Sequence, residues 1–242
     1  MNEINSNKKI KIGAIISYVA IAINIVAMLF YTPWMKNQIG ISDYGLYTLA
    51  NSFIAIFLLD FGLGSTISRF IAKYRAEDQV EKANALLGIV YKLYLLIDLA
   101  VFLILFILFF FVSDIYVGLT NEEVDKFKIL YVIVGFFSLI SFPFSTLSGI
   151  LNAYEQFIIV KVCDLFQKLF SILLVVFALL NHWGVIALIC SNAISGIITI
   201  VIRLFFVRRI GIKVCWSAKD RDLLKEIFAF SIWSFIMGIA QR

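Results

Sequence analysis

Residues 93–112 read LYLLIDLAVFLILFILFFFV, an apolar run in which Asp98 is the single charged side chain. Crossing ~30 Å of hydrocarbon takes about 20 apolar residues at a helical rise of 1.5 Å. Lipid offers a backbone no hydrogen-bond partners, so such a segment is a helix. Comparable runs lie on both sides of it, at 12–34 and 45–67 before it and at 127–151, 162–180 and 183–206 after it. These make six full spans. A further apolar run begins near Ile227 and reaches Arg242 after about 15 residues, short of a full span. The expectation is that the sequence is a piece of a longer protein.

Composition agrees with this reading. The 242 residues are 62% hydrophobic and 15% charged, with a mean hydropathy of +0.97, whereas soluble domains carry about a quarter charged residues. The net charge of +5 lies in short clusters between apolar runs. No basic-aromatic face or groove-reading motif accompanies them, so membrane topology explains them and nucleic acid is not an expected partner. Cys163, Cys190 and Cys215 are odd in number and lack metal-ligand spacing, which argues against a disulfide framework or a zinc site. His182, in a short turn, reads as a headgroup-level residue. Lys8, Lys9 and Lys11 precede the first run as in a signal peptide, but no small-residue cleavage site follows, so the run is retained as a helix.

Loop charge sets orientation. The amino terminus, the second loop (Arg69, Lys73, Arg75, Lys82), the fourth (Lys161) and the sixth (Arg208, Arg209, Lys213, Lys219, Arg221, Lys225) are basic. The odd loops hold Lys36, Lys126 and Lys128, the last two diluted by Asp114, Glu122, Glu123 and Asp125. The amino terminus is therefore expected in the cytoplasm. The sixth loop is the longest and most charged and suits a linker between two helical bundles. The chain accordingly divides into a six-span lobe (1–207), a cytoplasmic linker (208–226) and an incomplete seventh helix (227–242), an all-α integral membrane fold. No loop has room for a catalytic domain, and no HExxH, GxSxG or phosphate-loop motif is present, so no enzymatic activity, metal or cofactor is expected.

Ionisable groups inside spans are costly unless paired or wet, and so mark candidate sites. Asp60, Asp98 and Lys168 each lie on the order of 9–10 Å from the cytoplasmic edge and could form one layer. Lys168 has an alternative partner in Asp164, one turn earlier. Lys92 and Arg203 sit at span ends, where snorkelling to the interface is the ordinary behaviour. The functional alternative is a cationic site for a phosphate group, with Asp60 or Asp98 binding a coupling proton or sodium ion. Ser138, Ser141, Ser145, Ser148 and Asn152 share one face of the fourth span, and Asn192, Ser195, Thr199 and Arg203 one face of the sixth. Such stripes serve close helix packing or, when two converge, line a polar cavity. Ser17, Asn24 and Tyr31 form a sparser line on the first span. Pro143 removes a backbone donor and predicts a kink beside Ser141 and Ser145.

The order Pro33-Trp34, Gly40, Asp43-Tyr44-Gly45-Leu46-Tyr47, Leu59-Asp60-Phe61-Gly62-Leu63-Gly64 and Arg69-Phe70-Ile71-Ala72, followed by Leu151-Asn152-Ala153-Tyr154-Glu155-Gln156-Phe157, is distinctive. It resembles the amino-terminal half of Wzx-type polysaccharide (O-antigen) flippases of the multidrug/oligosaccharidyl-lipid/polysaccharide exporter superfamily. The resemblance implies two six-helix bundles working by alternating access in a bacterial plasma membrane. It also implies a polyprenyl-diphosphate-linked oligosaccharide as substrate, with membrane lipid and other glycan-assembly membrane proteins as partners. Asp60 and Arg69 match charged positions of its second-helix signature. Arg69, Lys92, Lys168, Arg203, Asn192, Ser141 and Ser145 are the candidate substrate-binding residues. A drug/cation antiporter of the same superfamily is the alternative, although the acidic first-helix residue that such exporters typically carry is missing from 12–34. A membrane component of glycan polymerisation is a further one. The lack of an arginine in the first span also sets the chain apart from peptidoglycan-precursor flippases.

Overall fold

The computed structural model describes residues 3–57, 63–216 and 221–240, and all their regular structure is helical. The first span is α1 (Glu3–Val26), a π turn over Ala27–Tyr31, and α2 (Thr32–Ile39). Pro33 has no N–H, so the carbonyl one turn earlier loses its usual donor, and the wider turn lies just upstream of it. Then come α3 (Ile41–Phe57), α4 (Leu63–Ala76), α5 (Val80–Phe110), the short α6 (Val112–Ile115), α7 (Asn121–Phe144), α8 (Thr146–Ala153), α9 (Phe157–Leu180), α10 (Gly184–Ile210) and α11 (Arg221–Ala240). Among the described residues, five helical stretches are long and apolar enough to cross a membrane: Lys11–Ile39, Val80–Phe110, Asn121–Ala153, Phe157–Leu180 and Gly184–Ile210. The run expected at 45–67 is carried by α3 and α4, with residues 58–62 between them outside the described set.

Most of each span faces outward. Met28, Phe30, Phe106, Phe136, Leu173 and Phe177 are all exposed, as apolar residues should be when the surrounding solvent is lipid. The inner contacts run between α9 and α10, α4 and α8, α3 and α7, α5 and α7, and α1 and α9. At the end of the bundle where α5 and α9 begin, hereafter the near end, the core joins α4, α5 and α8 through Ile67, Ile71, Leu86, Val90, Leu147 and Ile150. In α4 the buried residues Leu63, Ile67, Phe70, Ile71 and Tyr74 recur three and four apart, the period that puts one helical face inward. Gly149 permits the α4–α8 approach, since a Cβ there would stand 2.6 Å from the Gly64 carbonyl oxygen.

Two near-end turns share one design. After α4 and after α8 a non-glycine residue takes a left-handed conformation, Asp78 and Glu155, each with φ of 55°. The next amide then reaches back, Gln79 N to Tyr74 O at 2.8 Å and Gln156 N to Leu151 O at 2.9 Å. That bond closes each helix in the manner of a Schellman cap. The sequences are correspondingly alike, Ala76-Glu77-Asp78-Gln79 and Ala153-Tyr154-Glu155-Gln156. Arg75 joins the turns, donating to Ala153 O at 3.2 Å and lying 4.9 Å from the Tyr154 ring centre.

At the opposite, far end Thr120 caps α7. Its hydroxyl accepts from the Glu123 amide, and its own amide donates to the Glu123 carboxylate at 3.0 Å. Ser42 donates to the same carboxylate and Lys126 pairs with Asp43 at 3.0 Å, so α3 and α7 are tied where they start. The kink expected at Pro143 is a break: α7 ends at Phe144, α8 starts at Thr146, and the Thr146 hydroxyl donates to Pro143 O at 2.8 Å.

Helix α10 runs on to Ile210, with Arg208 and Arg209 in its last turn and Gly211 as a left-handed cap, φ 83°. The following residues lie down on α5. Lys213 N donates to Asn84 Oδ1 at 2.9 Å, Cys215 N donates to Asn84 O at 3.1 Å, and Trp216 packs on Tyr91. Helix α11 then packs on α4. Thr66 and Ser231 share a hydrogen bond of 2.8 Å, and Phe230 meets Phe70 edge-on.

Candidate functional site

The polar residues of the bundle form separate groups. One lies about 12 Å along α10 from Gly184. There Asn192 accepts from the Ser171 hydroxyl of α9 and donates to the Tyr47 hydroxyl of α3 at 3.1 Å. Beside it is a small cavity of about 120 Å³ lined by Asn51, Ser138, Asn192, Val134, Phe137 and Ile189. The Asn51 amide donates to Tyr47 O at 2.8 Å, which orients its carbonyl oxygen and fixes the helix turn that carries Tyr47. Amide and hydroxyl groups held in this way read neutral hydrogen-bonding ligands through paired donors and acceptors. Of this group, Asn192 and Ser138 stand in the serine and asparagine stripes of the sequence. Tyr47, Ser171 and Asn51 do not, because only the packing of α3 and α9 against α10 brings them there.

The middle of the α10 stripe faces inward to helix packing. Ser195 donates to Asn192 O at 2.8 Å and Thr199 to Ser195 O at 2.9 Å, both buried. Gly196 lies beneath Phe137, whose Cζ would be 2.3 Å from an added Cβ. Small residues here let α7 and α10 approach.

At the near-end side of the same helix, Arg203 pairs with Asp164 of α9, and its Nε is buried without a partner. Two expectations are corrected by this pair. Asp164 is taken by Arg203 and not by Lys168, which is exposed. Arg203 does not snorkel outward: its side chain is 14% exposed, because α9 supplies a carboxylate across its seam with α10. A planar guanidinium meets a carboxylate across such a seam more readily than an ammonium reaches back along its own helix.

Asp60 lies outside the described residues. No ion pair joins Asp98 and Lys168 among the described residues, since α5 packs on α4 and α7 while α9 packs on α1 and α10. Lys92 is exposed on α5, and the Arg69 guanidinium lies 4.5 Å from the Phe230 ring centre, against α11. The α7 stripe also divides. Ser138 faces the cavity, the Ser145 hydroxyl donates to Tyr94 Oη at 3.1 Å, and Ser141 Oγ is buried without a partner. Asp98 Oδ1 is buried and unpartnered as well.

The model of the family described as polysaccharide biosynthesis protein matches residues 10–242. Among solved structures, the chain is similar to a transporter of the MOP superfamily from Pyrococcus furiosus, described as having a binding pocket of reversed polarity. That match has 18% identity and a TM-score of 0.74, covering 96% of this chain and 52% of the other. It is similar also to a MATE protein in complex with MaD3S (18%, TM-score 0.75, 96% and 53% covered). A third is a multidrug resistance MATE family transporter of the MOP superfamily in an outward-facing conformation (18%, TM-score 0.74, 98% and 54% covered). The chain thus spans about half the length of the solved structures it matches. A comparison with curated proteins gives no match.

Proposed function

Because the chain belongs to the polysaccharide biosynthesis protein family, a multi-pass membrane family with the fold of MOP-superfamily transporters, we propose that it forms one lobe of a flippase for lipid-linked oligosaccharide. In this reading the intact transporter takes a polyprenyl-diphosphate-linked oligosaccharide at the cytoplasmic leaflet and releases it at the outer one by alternating access. The near end faces the cytoplasm of a bacterial cell, in keeping with the basic residues Lys73, Arg75, Lys82, Lys161, Arg208 and Arg209 gathered there. The lobe ends with α10, and residues 211–220 join it to a second bundle that α11 begins.

One observation carries the reading. Helix α10 holds a hydroxyl-reading amide, Asn192, beside its cavity, and about 16 Å further along a shielded guanidinium, Arg203, with an unpartnered Nε. Sugar hydroxyls and a diphosphate are the chemistry that such a pair of groups recognises. Arginine binds phosphate oxygens through its forked donors, and amides pair with vicinal hydroxyls. Ser145, exposed at the break after α7, adds a further hydroxyl. Arg69, Lys92 and Lys168 add positive charge to the near-end halves of α4, α5 and α9, which favours an anionic headgroup.

The test is transport by the intact protein in proteoliposomes, with a fluorescent lipid-linked oligosaccharide in the inner leaflet scored by accessibility to an external glycosidase. Arg203→Gln and Asn192→Ala are expected to lower the rate at least tenfold with folding retained, and Arg203→Lys to recover part of it. Unchanged flipping in both loss variants removes the site assignment. Cation-driven dye efflux without glycolipid flipping removes the substrate class.

A further inference from the structure

Asp98 and Ser141 were separate features of two helices in the sequence, and the register of the α5–α7 seam brings them to one level. The helices run antiparallel. Tyr94 meets Ser145 by a hydrogen bond of 3.1 Å and Phe142 by an edge-on ring contact of 4.9 Å. Three turns towards the far end the same seam closes again, where the Tyr131 hydroxyl donates to Leu105 O at 2.9 Å. One turn forward from Tyr94 on α5 is Asp98, and one turn back from Ser145 on α7 is Ser141. Both therefore stand between these two fixed contacts, on the facing sides of their helices. Their oxygens Asp98 Oδ1 and Ser141 Oγ are buried, and neither has a hydrogen-bond partner among the described residues.

A buried, unpartnered carboxylate oxygen inside a membrane span costs several kcal/mol unless something offsets it. Most buried hydroxyls in helices bond to a carbonyl one turn back, as Ser191 and Thr199 do here at 2.7 and 2.9 Å. Ser141 does not. Two hard oxygens facing each other across a seam, with no hydrogen bond between them, match a small hard cation seated between them. A monovalent ion is the one whose charge the single carboxylate balances in full, leaving no uncompensated charge in the seam.

We propose that Asp98 and Ser141 bind a sodium ion between the third and fourth spans. Ser145 stands next on the α7 face, exposed, at the break that Pro143 makes between α7 and α8. Binding ties α5 to α7 immediately beside the break, so occupancy biases the angle between α7 and α8. The site depends on the seam alone and stands whichever solute the protein carries.

The experiment uses the intact protein in nanodiscs, with thermal unfolding followed over a NaCl series at constant ionic strength and pH, choline chloride balancing. The wild type is expected to gain stability with sodium and to saturate, as a ligand that binds the folded state must make it do. Ser141→Ala is expected to raise the half-saturating sodium concentration about tenfold, and Asp98→Asn to abolish the dependence. Binding of radioactive sodium is measured in parallel, so that Ser141→Ala and Ser141→Cys still decide the matter if Asp98→Asn does not fold. Sodium dependence unchanged in the Ser141 variants overturns the proposal. So does a wild type that responds to pH but not to sodium, which would make Asp98 a proton site.

Discussion

Gly88 offers the sharpest test of how the segment after α10 is held. A Cβ at this position would lie 1.8 Å from the Cys215 carbonyl oxygen and 2.6 Å from its carbon. These are backbone atoms, so no rotamer change relieves the clash, and Gly88→Ala must push the segment off α5. The displacement breaks the bonds from Lys213 N and Cys215 N to Asn84 and loosens the Tyr91–Trp216 contact. Each hydrogen bond contributes about 0.5–1.5 kcal/mol and the ring contact a similar amount. Docking should therefore weaken by roughly 2–4 kcal/mol. At the lower bound, that is about a thirtyfold rise in the undocked population. The same substitution favours the helix, because alanine inside α5 is better than glycine by about 1 kcal/mol. Hydrogen exchange separates the two signs: the amides of Lys213 and Cys215 should exchange at least tenfold faster, while those of α5 around residue 88 exchange no faster than before. Unchanged protection of Lys213 and Cys215 would refute the docked arrangement and the reasoning built on it.

The remaining expectations concern the lobe itself. Asn192→Ala and Tyr47→Phe should be coupled in a double-mutant cycle of thermal stability by about 0.5–3 kcal/mol, and additive values would mean that their hydrogen bond contributes nothing. Asp164→Leu should destabilise more than Arg203→Met, since the first leaves a shielded guanidinium without its carboxylate while the second leaves Asp164, 46% exposed, to solvent; equal melting temperatures would contradict the pairing. Thr120→Ala removes the α7 cap and should cost about 1 kcal/mol of stability, seen as faster exchange of the first-turn amides. Gly196→Leu drives a side chain into Phe137 and should cost about 1–3 kcal/mol by overpacking, measured by thermal unfolding in detergent.

What the sequence makes legible here follows from which solvent tests each residue. Lipid tests composition over twenty positions at a time, so spans such as 93–112 and 183–206 can be read from hydropathy alone, and Pro143 announces its break because its missing N–H acts within one helix. Pairing across helices is another matter. The i,i+4 spacing of Asp164 and Lys168 suggests a partner that the fold overrules, because Arg203 arrives from α10 with a better geometry and a more shielded site. The stripe on α10 can be seen in the sequence, yet its members divide by contact: Ser195 and Thr199 bond back to their own helix, while Asn192 reaches Ser171 and Tyr47. Nothing in local spacing separates these cases, since all four positions share the same period. The distinguishing quantity is what stands opposite, and for Asn192 that is α3, distant in sequence by more than a hundred residues. The same holds for Asp98. Its burial in an apolar run marks it as costly, but only the antiparallel register of α5 and α7 puts Ser141 opposite it and makes two costly atoms into one candidate site.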